Sequence, residues 1–283
     1  STAWWLNDNS TQVTRAWNYS TGFNPDSLPP KRVKVAVISV GFAGLWQAMQ
    51  PGQDLQGQIV FTENGRSLSK RIEATNQNPS FIITDYGQSG WDETFLRNED
   101  TLGPPNFPTP DPKTPGSGTS TREGTHGTVL SSIIVSKTND GTGMAGVAPQ
   151  AVIIPFRVTF PGPNYWEVKE AVRLAREANV DVINLSLGGS NPNDYLDRLF
   201  AKTKPDLNVT EDWHSAMQEE VRRASDQNIV IVASAGNGSW NIRQGTYAGR
   251  KDKNDELIFP EIIPVGAIHD LAPTIADAPN DLV

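Results

Sequence analysis

The stretch VKVAVISVGFAG, residues 33–44, decides how the chain is read. Val33, Val35, Ala36, Val37 and Ile38 form an apolar, β-branched run that stops at Ser39 and passes into a turn carrying Gly41 and Gly44. An unbroken apolar run bounded by turn residues is the pattern of a strand buried on both faces. Ends of parallel strands are where α/β enzymes keep their chemistry. A small hydroxyl stands where a functional side chain is expected.

Downstream the same kind of strand recurs, with helical stretches between. AVIIPFRV (151–158) reads as a strand. NYWEVKEAVRLAREANV (164–180) reads as a helix with Asn164 as N-cap, Glu167 three residues on, and Val168, Ala171, Val172 and Ala175 on one face. VDVINLSLGG (180–189) is the next strand, and a helix follows from about Glu211 with Trp213, Met217, Val221 and Ala224 at helical spacing. NIVIVASAGN (228–237) and IIPVGAI (262–268) are strands again. Strand, helix, strand in this order predicts an α/β fold of three layers, a mostly parallel sheet with helices on both faces.

The region between is less regular. QIVFT (58–62) predicts a second strand, a polar stretch follows, and SFIIT (80–84) predicts a third. Residues 88–124 include LGPPNFPTPDPKTPGSGTST and read as a long Pro/Gly-rich surface loop. Loops of that length are usually functional or mobile. Residues 1–30 carry Trp4, Trp5, Trp17, Tyr19 and Phe23 among polar residues and end in Pro29-Pro30, which predicts an arm packed on the surface of a single domain spanning 1–283. There is no internal repeat.

Composition excludes several classes. A formal charge of −8, with 24 basic against 32 acidic residues, argues against a nucleic-acid or anionic-membrane surface. Without cysteine there are no disulfides and no thiolate metal sites. No apolar run approaches the roughly 18 residues that span a bilayer, and STAWWLNDNST is not a signal peptide. Glycosylation triplets occur at Asn9, Asn18 and Asn208, a pattern that chance produces often.

Of the 3 histidines, His126 has the telling setting, EGTHGTVLSSIIVS, where a glycine-flanked histidine opens an apolar, small-residue helix. Alone, that motif is more often a histidine that merely ends a loop. It stands, however, in an ordered series: RAWNYSTG, VKVAVISVGFAG, DLQGQIV, THGTVLSSII, GTGMAGVAPQAVIIPFRV, VDVINLSLGGS, IVIVASAGNGS and FPEIIPVGAI. This series resembles the successive landmarks of the subtilisin-like serine proteases. The resemblance runs from about Trp4 to Ile268, with the loop from about 62 to 124 as its main departure.

What the resemblance implies fits the chemistry of acyl transfer, which needs a base beside the nucleophile, a carboxylate to orient the base, and donors for the oxyanion. It implies that His126 is the base and that Asn237, in SAGNG, is the oxyanion-hole donor. It also implies that Ser186, Leu187 and Gly188 pair with an extended peptide, and that Ser234, Ala235 and Gly236 line the primary side-chain pocket. Asp54 and Asp140 match positions that hold a structural Ca²⁺ in many members; a solvated Asn-Asp-Gly turn is the alternative for Asp140. No cofactor is implied for catalysis, the partner is a peptide or protein substrate, and the setting is extracellular, as is general in the family.

Two features depart from the family pattern. Its triad aspartate, followed by Ser or Thr and Gly, is replaced here by Ser39-Val40-Gly41. The nucleophile motif GTSMA.P, which follows the VGAI strand, does not occur before Val283. Gly118-Thr119-Ser120 precedes His126 in the Pro/Gly-rich loop and is rejected as nucleophile, and there is no Gly-x-Ser-x-Gly elbow. A C-terminal remainder or a second chain is therefore expected to complete the domain. Asp85, in FIITDYG, and Glu123 are outside candidates for the missing carboxylate. The sequence is identified as an impaired subtilisin-like endopeptidase domain or, alternatively, a pseudoprotease serving as a peptide- or protein-binding scaffold; Ser39 is either a natural loss or an engineered silencing.

Overall fold

The computed structural model describes residues 12–24, 26, 31–74, 81–86, 119–138, 140–141, 143–158, 165–187, 209–235, 254 and 256–266. Two compact units divide the chain, Ser1–Ile183 and Asn184–Val283.

In the first unit the strands are β1 (Lys34–Ser39), β2 (Lys70–Ala74), β3 (Phe81–Asp85) and β4 (Val152–Arg157). β1 and β4 pair in parallel from Lys34↔Val152 to Ser39↔Arg157. β2 continues in parallel on the other edge of β4 at Phe156 and Arg157, and β3 runs antiparallel to β2 from Lys70↔Asp85 to Ala74↔Phe81. The order is β1-β4-β2-β3. All of β4 is buried, and in β1 only Lys34 is partly exposed, as expected for strands covered on both faces.

Alternation along β1 decides what each face meets. Val35, Val37 and Ile153 lie in one core cluster with Phe42, Leu45, Leu55, Tyr86 and Val135, the last from helix α1 (Thr119–Val135). Ala36, Ile38, Ile154 and Phe156, fully buried, point the other way. There helix α2 (Tyr165–Glu177) packs against β1, β2 and β4. Its Val168, Ala171, Val172 and Ala175 are fully buried, the face the spacing predicted. Strand β5 (Val182–Leu185) spans the boundary between the units. In the second unit α3 (Val209–Asp226) buries Met217, Val221 and Ala224 and packs against β6 (Val230–Ser234), which pairs in parallel with β7 (Ile262–Val265).

The structure corrects the irregular region. QIVFT is no strand: Ile59 alone bridges Ile153, flanked by Val60 N–H donating to the Ile153 carbonyl at 2.9 Å. The chain then leaves the β4 edge through the hairpin Thr62–Glu63/Arg66–Ser67, whose Asn64 (φ 51°) and Gly65 (φ 77°) suit the tight turn that Asn-Gly favours. It returns as β2, from the stretch KRIEA that reads as polar loop because Ile72 is its one large apolar residue. Its place beside β4 is a tertiary choice. α1 starts at Thr119, so residues 119–124 of the expected 88–124 loop are helical; Pro115 is the last proline before it, and nothing beyond breaks a helix. His126 therefore sits about two turns inside α1 and does not open it. α3 begins two residues before the expected Glu211. Residues 88–118, Asn164, and the side chain of Trp213 lie outside the described residues.

Part of the N-terminal arm is tied to the unit's body. Trp17 Nε1 donates to the Val147 carbonyl at 2.8 Å, and Thr21 and Gln150 exchange a side-chain and a backbone hydrogen bond at 2.6 and 2.8 Å. Trp4 and Trp5 lie outside the described residues.

One polar brace ties the segments around β4. Arg32 donates from Nε to the Gln150 carbonyl at 2.7 Å, from Nη1 to Gly57 at 2.8 Å and from Nη2 to Ala151 at 2.6 Å, and it also meets the Gln58 side chain. Buried Gln58 passes the link on, donating to the carbonyls of Val135, the last residue of α1, and Pro149. A guanidinium reaches several carbonyls at once where an ammonium cannot. Arg32→Lys should therefore lower unfolding free energy by about 1–3 kcal/mol, read from the urea midpoint, because buried carbonyls lose their donors. An unchanged midpoint would dismiss the brace.

Candidate active site

The site begins with the period of β1. Ser39 shares its face with Val35 and Val37, so its side chain is directed to the α1 side, and it is 0 % exposed. Its carbonyl accepts from Val158 N–H at 2.9 Å, which anchors the strand end.

α1 reaches this strand end because Gly127 has no side chain. Gly127 N–H donates to the Gly41 carbonyl at 2.8 Å, and a Cβ at 127 would lie 2.5 Å from the Phe42 ring and 2.6 Å from that carbonyl. Thr128 Oγ1 adds a bond to the Ala43 carbonyl at 2.8 Å. The preceding residue, His126, is thereby set with Nδ1 2.9 Å from Ser39 Oγ. The structure thus brings together the base position and the acid position picked out in the sequence, 87 residues apart.

The electrostatics of this pair differ from those of a charged triad. Burial holds the His126 pKa below its ordinary value, and no carboxylate is among the causes. Arg157, 7 % exposed, pairs with Ser39 in the β1–β4 register and so shares its face. A guanidinium on that face adds nothing to the stability of an imidazolium. Burial thus favours the neutral imidazole.

Of the two outside candidates, Asp85 does not supply the charge. Asp85 forms an ion pair with Lys70 and lies on β3, three strand spacings from β1, or about 14 Å at ~4.8 Å per strand. It cannot reach His126. Glu123 lies in α1, and its side chain is outside the described residues. Thr119 and Ser120 of the rejected GTS triplet are also in α1.

Asp54 turns its carboxylate into the loop around residues 137–146. Its Oδ2 accepts from Met144 N–H at 3.0 Å, its backbone carbonyl accepts from Lys137 N–H at 3.0 Å, and the carboxylate fills the space where a Gly143 Cβ would stand. Asp140 is exposed. Among the described residues no three acidic, histidine or cysteine side chains gather as a metal cluster. Oxygen from one carboxylate and a tight turn is in keeping with a hard cation's preference, in part only.

In the second unit, Ser186 and Leu187 follow β5. Ser186 Oγ donates to Asn184 Oδ1 at 3.1 Å, and Leu187 is buried. Ser234 Oγ donates to the Leu187 carbonyl at 3.4 Å, and Ala235 N–H to the Val265 carbonyl at 2.8 Å. Gly188, Gly236 and Asn237 lie outside the described residues. The reading of the sequence singled out neither Gly127 nor Arg157 as part of the site. The His-Gly pair was a signal for the first; nothing local marks the second, which matters through strand register.

Strands and helices in this arrangement define a subtilisin-like α/β fold, in which Ser39 and His126 meet at the end of β1. Residues 31–280 match the sequence profile of the subtilase family (Peptidase_S8), and the chain belongs to that family. It is 33 % identical over 114 residues to thermitase of Thermoactinomyces vulgaris, covering 40 % of this chain and 33 % of the relative. It is 29 % identical over 151 residues to the major intracellular serine protease of Bacillus subtilis (strain 168), covering 50 % and 37 %. These matches span little more than about a third of the relatives' length. Among solved structures, the patellamide maturation protease PatG superposes with a TM-score of 0.48 at 14 % identity, covering 93 % of this chain and 63 % of that one.

The close approach at Gly127 makes a sharp prediction. Gly127→Ala forces the methyl into Phe42 and the Gly41 carbonyl, so unfolding free energy should fall by about 1–3 kcal/mol, as for overpacked cores. Denaturant titration would show this, and a midpoint equal to the parent's would mean that α1 stands further from β1.

Proposed function

We propose that this chain forms the N-terminal and central part of a subtilisin-like endopeptidase domain whose acid position is occupied by Ser39, so that it holds peptide while hydrolysing it poorly. The observation that carries this reading is the 2.9 Å contact between Ser39 Oγ and His126 Nδ1, made where the family places its carboxylate. In the intended reaction His126 takes the nucleophile's proton and Asn237 donates to the oxyanion. The nucleophile comes from a GTSMA.P motif, which the 283 residues do not contain, supplied by a C-terminal remainder or a second chain. Extended substrate pairs with Ser186, Leu187 and Gly188, and its side chain enters the small-residue pocket of Ser234, Ala235 and Gly236.

Serine impairs the chemistry for a simple reason. A carboxylate stabilises the imidazolium that forms as the nucleophile gives up its proton; a hydroxyl carries no charge. Replacing the acid by a neutral group costs about 10⁴ in turnover in serine proteases. Ser39→Asp, made in the full-length protein, should raise peptidase activity by roughly 10²–10⁴ and move the His126 pKa upward, because a charge then opposes the effect of burial. The pH–rate profile and peptide cleavage measure both.

A pseudoprotease scaffold is the second reading, and the pairing of buried, uncharged Ser39 with a histidine whose pKa burial lowers favours it. Ser39→Asp separates the two: no gain in cleavage, with peptide binding kept, leaves the scaffold. Extracellular location rests on family resemblance alone, since two relatives are themselves named intracellular. Among the described residues no helix is long and apolar enough to cross a membrane.

Calcium at the Asp54 loop is part of the same proposal. Asp54, with Asp140 and carbonyls of the turn, would hold the ion, and its contribution would be stability and not chemistry. EDTA should then lower the melting temperature, with recovery on adding Ca²⁺ but not Mg²⁺; an unaffected melting temperature rules the ion out.

A further inference from the structure

Ser39 offers a buried hydroxyl with one hydrogen to give. It is 0 % exposed, and among the described residues His126 Nδ1, at 2.9 Å, is its only side-chain hydrogen-bond partner. Two arrangements satisfy this distance. Either Nδ1–H donates to Oγ, leaving the hydroxyl hydrogen buried without an acceptor, or Oγ–H donates to a bare Nδ1. The first leaves a buried donor unsatisfied, a penalty buried polar groups rarely bear. Neutral imidazole carries its single proton on one nitrogen, so the second arrangement puts it on Nε2.

We propose that Ser39 locks His126 in the Nε2–H tautomer, the opposite of the tautomer a carboxylate at this position would select. Nδ1 faces inward to Ser39, so Nε2 lies on the outer side of a half-buried ring. A protonated Nε2 cannot accept a nucleophile's proton. It donates instead, and the group it fits is an acceptor oxygen of a bound peptide, a carbonyl or a terminal carboxylate. Lost charge is then only part of the effect of Ser39; the same hydroxyl turns the base into a hydrogen-bond donor. This consequence rests on the peptide-site reading above, whereas the tautomer itself does not.

The test is ¹⁵N-detected NMR of histidine-labelled protein without ligand, near pH 8, about 1.5 units above the ordinary histidine pKa. His126→Gln assigns the signals by loss, and His214→Gln and His269→Gln identify the other two rings should that variant misfold. Wild type should show an unprotonated Nδ1 and a protonated Nε2. Ser39→Asp should move the proton to Nδ1, and Ser39→Ala should release the lock and give averaged shifts. A protonated Nδ1 in wild type overturns the proposal, and so does a Ser39→Ala spectrum identical to wild type. The wild-type spectrum alone suffices if either variant fails to fold. Because the spectrum needs no substrate or nucleophile, its outcome is separate from the peptidase gain that tests the proposed function.

Discussion

Everything at the site depends on how closely α1 approaches the end of β1. Gly127 has only a hydrogen where any other residue would carry a carbon 2.5 Å from the Phe42 ring. With that space free, its amide reaches the Gly41 carbonyl and its neighbour His126 falls opposite Ser39. A side chain at 127 would push the helix outward and undo the hydrogen bond. The same approach buries the Val35, Val37, Phe42, Leu45 and Val135 cluster, so core packing and site geometry are one constraint.

Burial then acts on charge. An imidazole in a low-dielectric setting favours its neutral form unless a partner opposes that preference, and a hydroxyl does not. A subtilase carboxylate at this place would meet a hydrogen-bond donor and a nascent cation. Ser39 meets a neutral ring, beside a buried arginine on the next strand.

Much of the architecture was legible because burial on both faces demands continuous apolar runs, and VKVAVIS and VIIPFR supply them. α2 was legible because Val168, Ala171, Val172 and Ala175 recur at helical spacing and all go to zero exposure. KRIEA was not, since a strand near the sheet edge needs few apolar residues, and its junction with the sheet, at Phe156 and Arg157, is with a partner more than eighty residues away in sequence. QIVFT misled in the opposite sense: of its apolar residues Ile59 is buried, at a single bridge, before an Asn-Gly turn takes the chain off β4. The start of α1 was hidden by Pro/Gly-rich sequence that stops at Pro115 to Gly118, just short of the helix.

By itself, the sequence determined which chemical groups are available: a serine at the end of a buried strand, one histidine in a His-Gly context, and no aspartate at position 39. The order of the landmarks also carried the family, since each is a local pattern of strand end, glycine turn or helix start. Only the tertiary structure decided that Ser39 and His126 touch, that Asp85 is spent on Lys70 several strands away, and that Arg157 stands beside Ser39. Those are consequences of strand register and helix docking, which depend on contacts between residues far apart in the chain and leave no local trace.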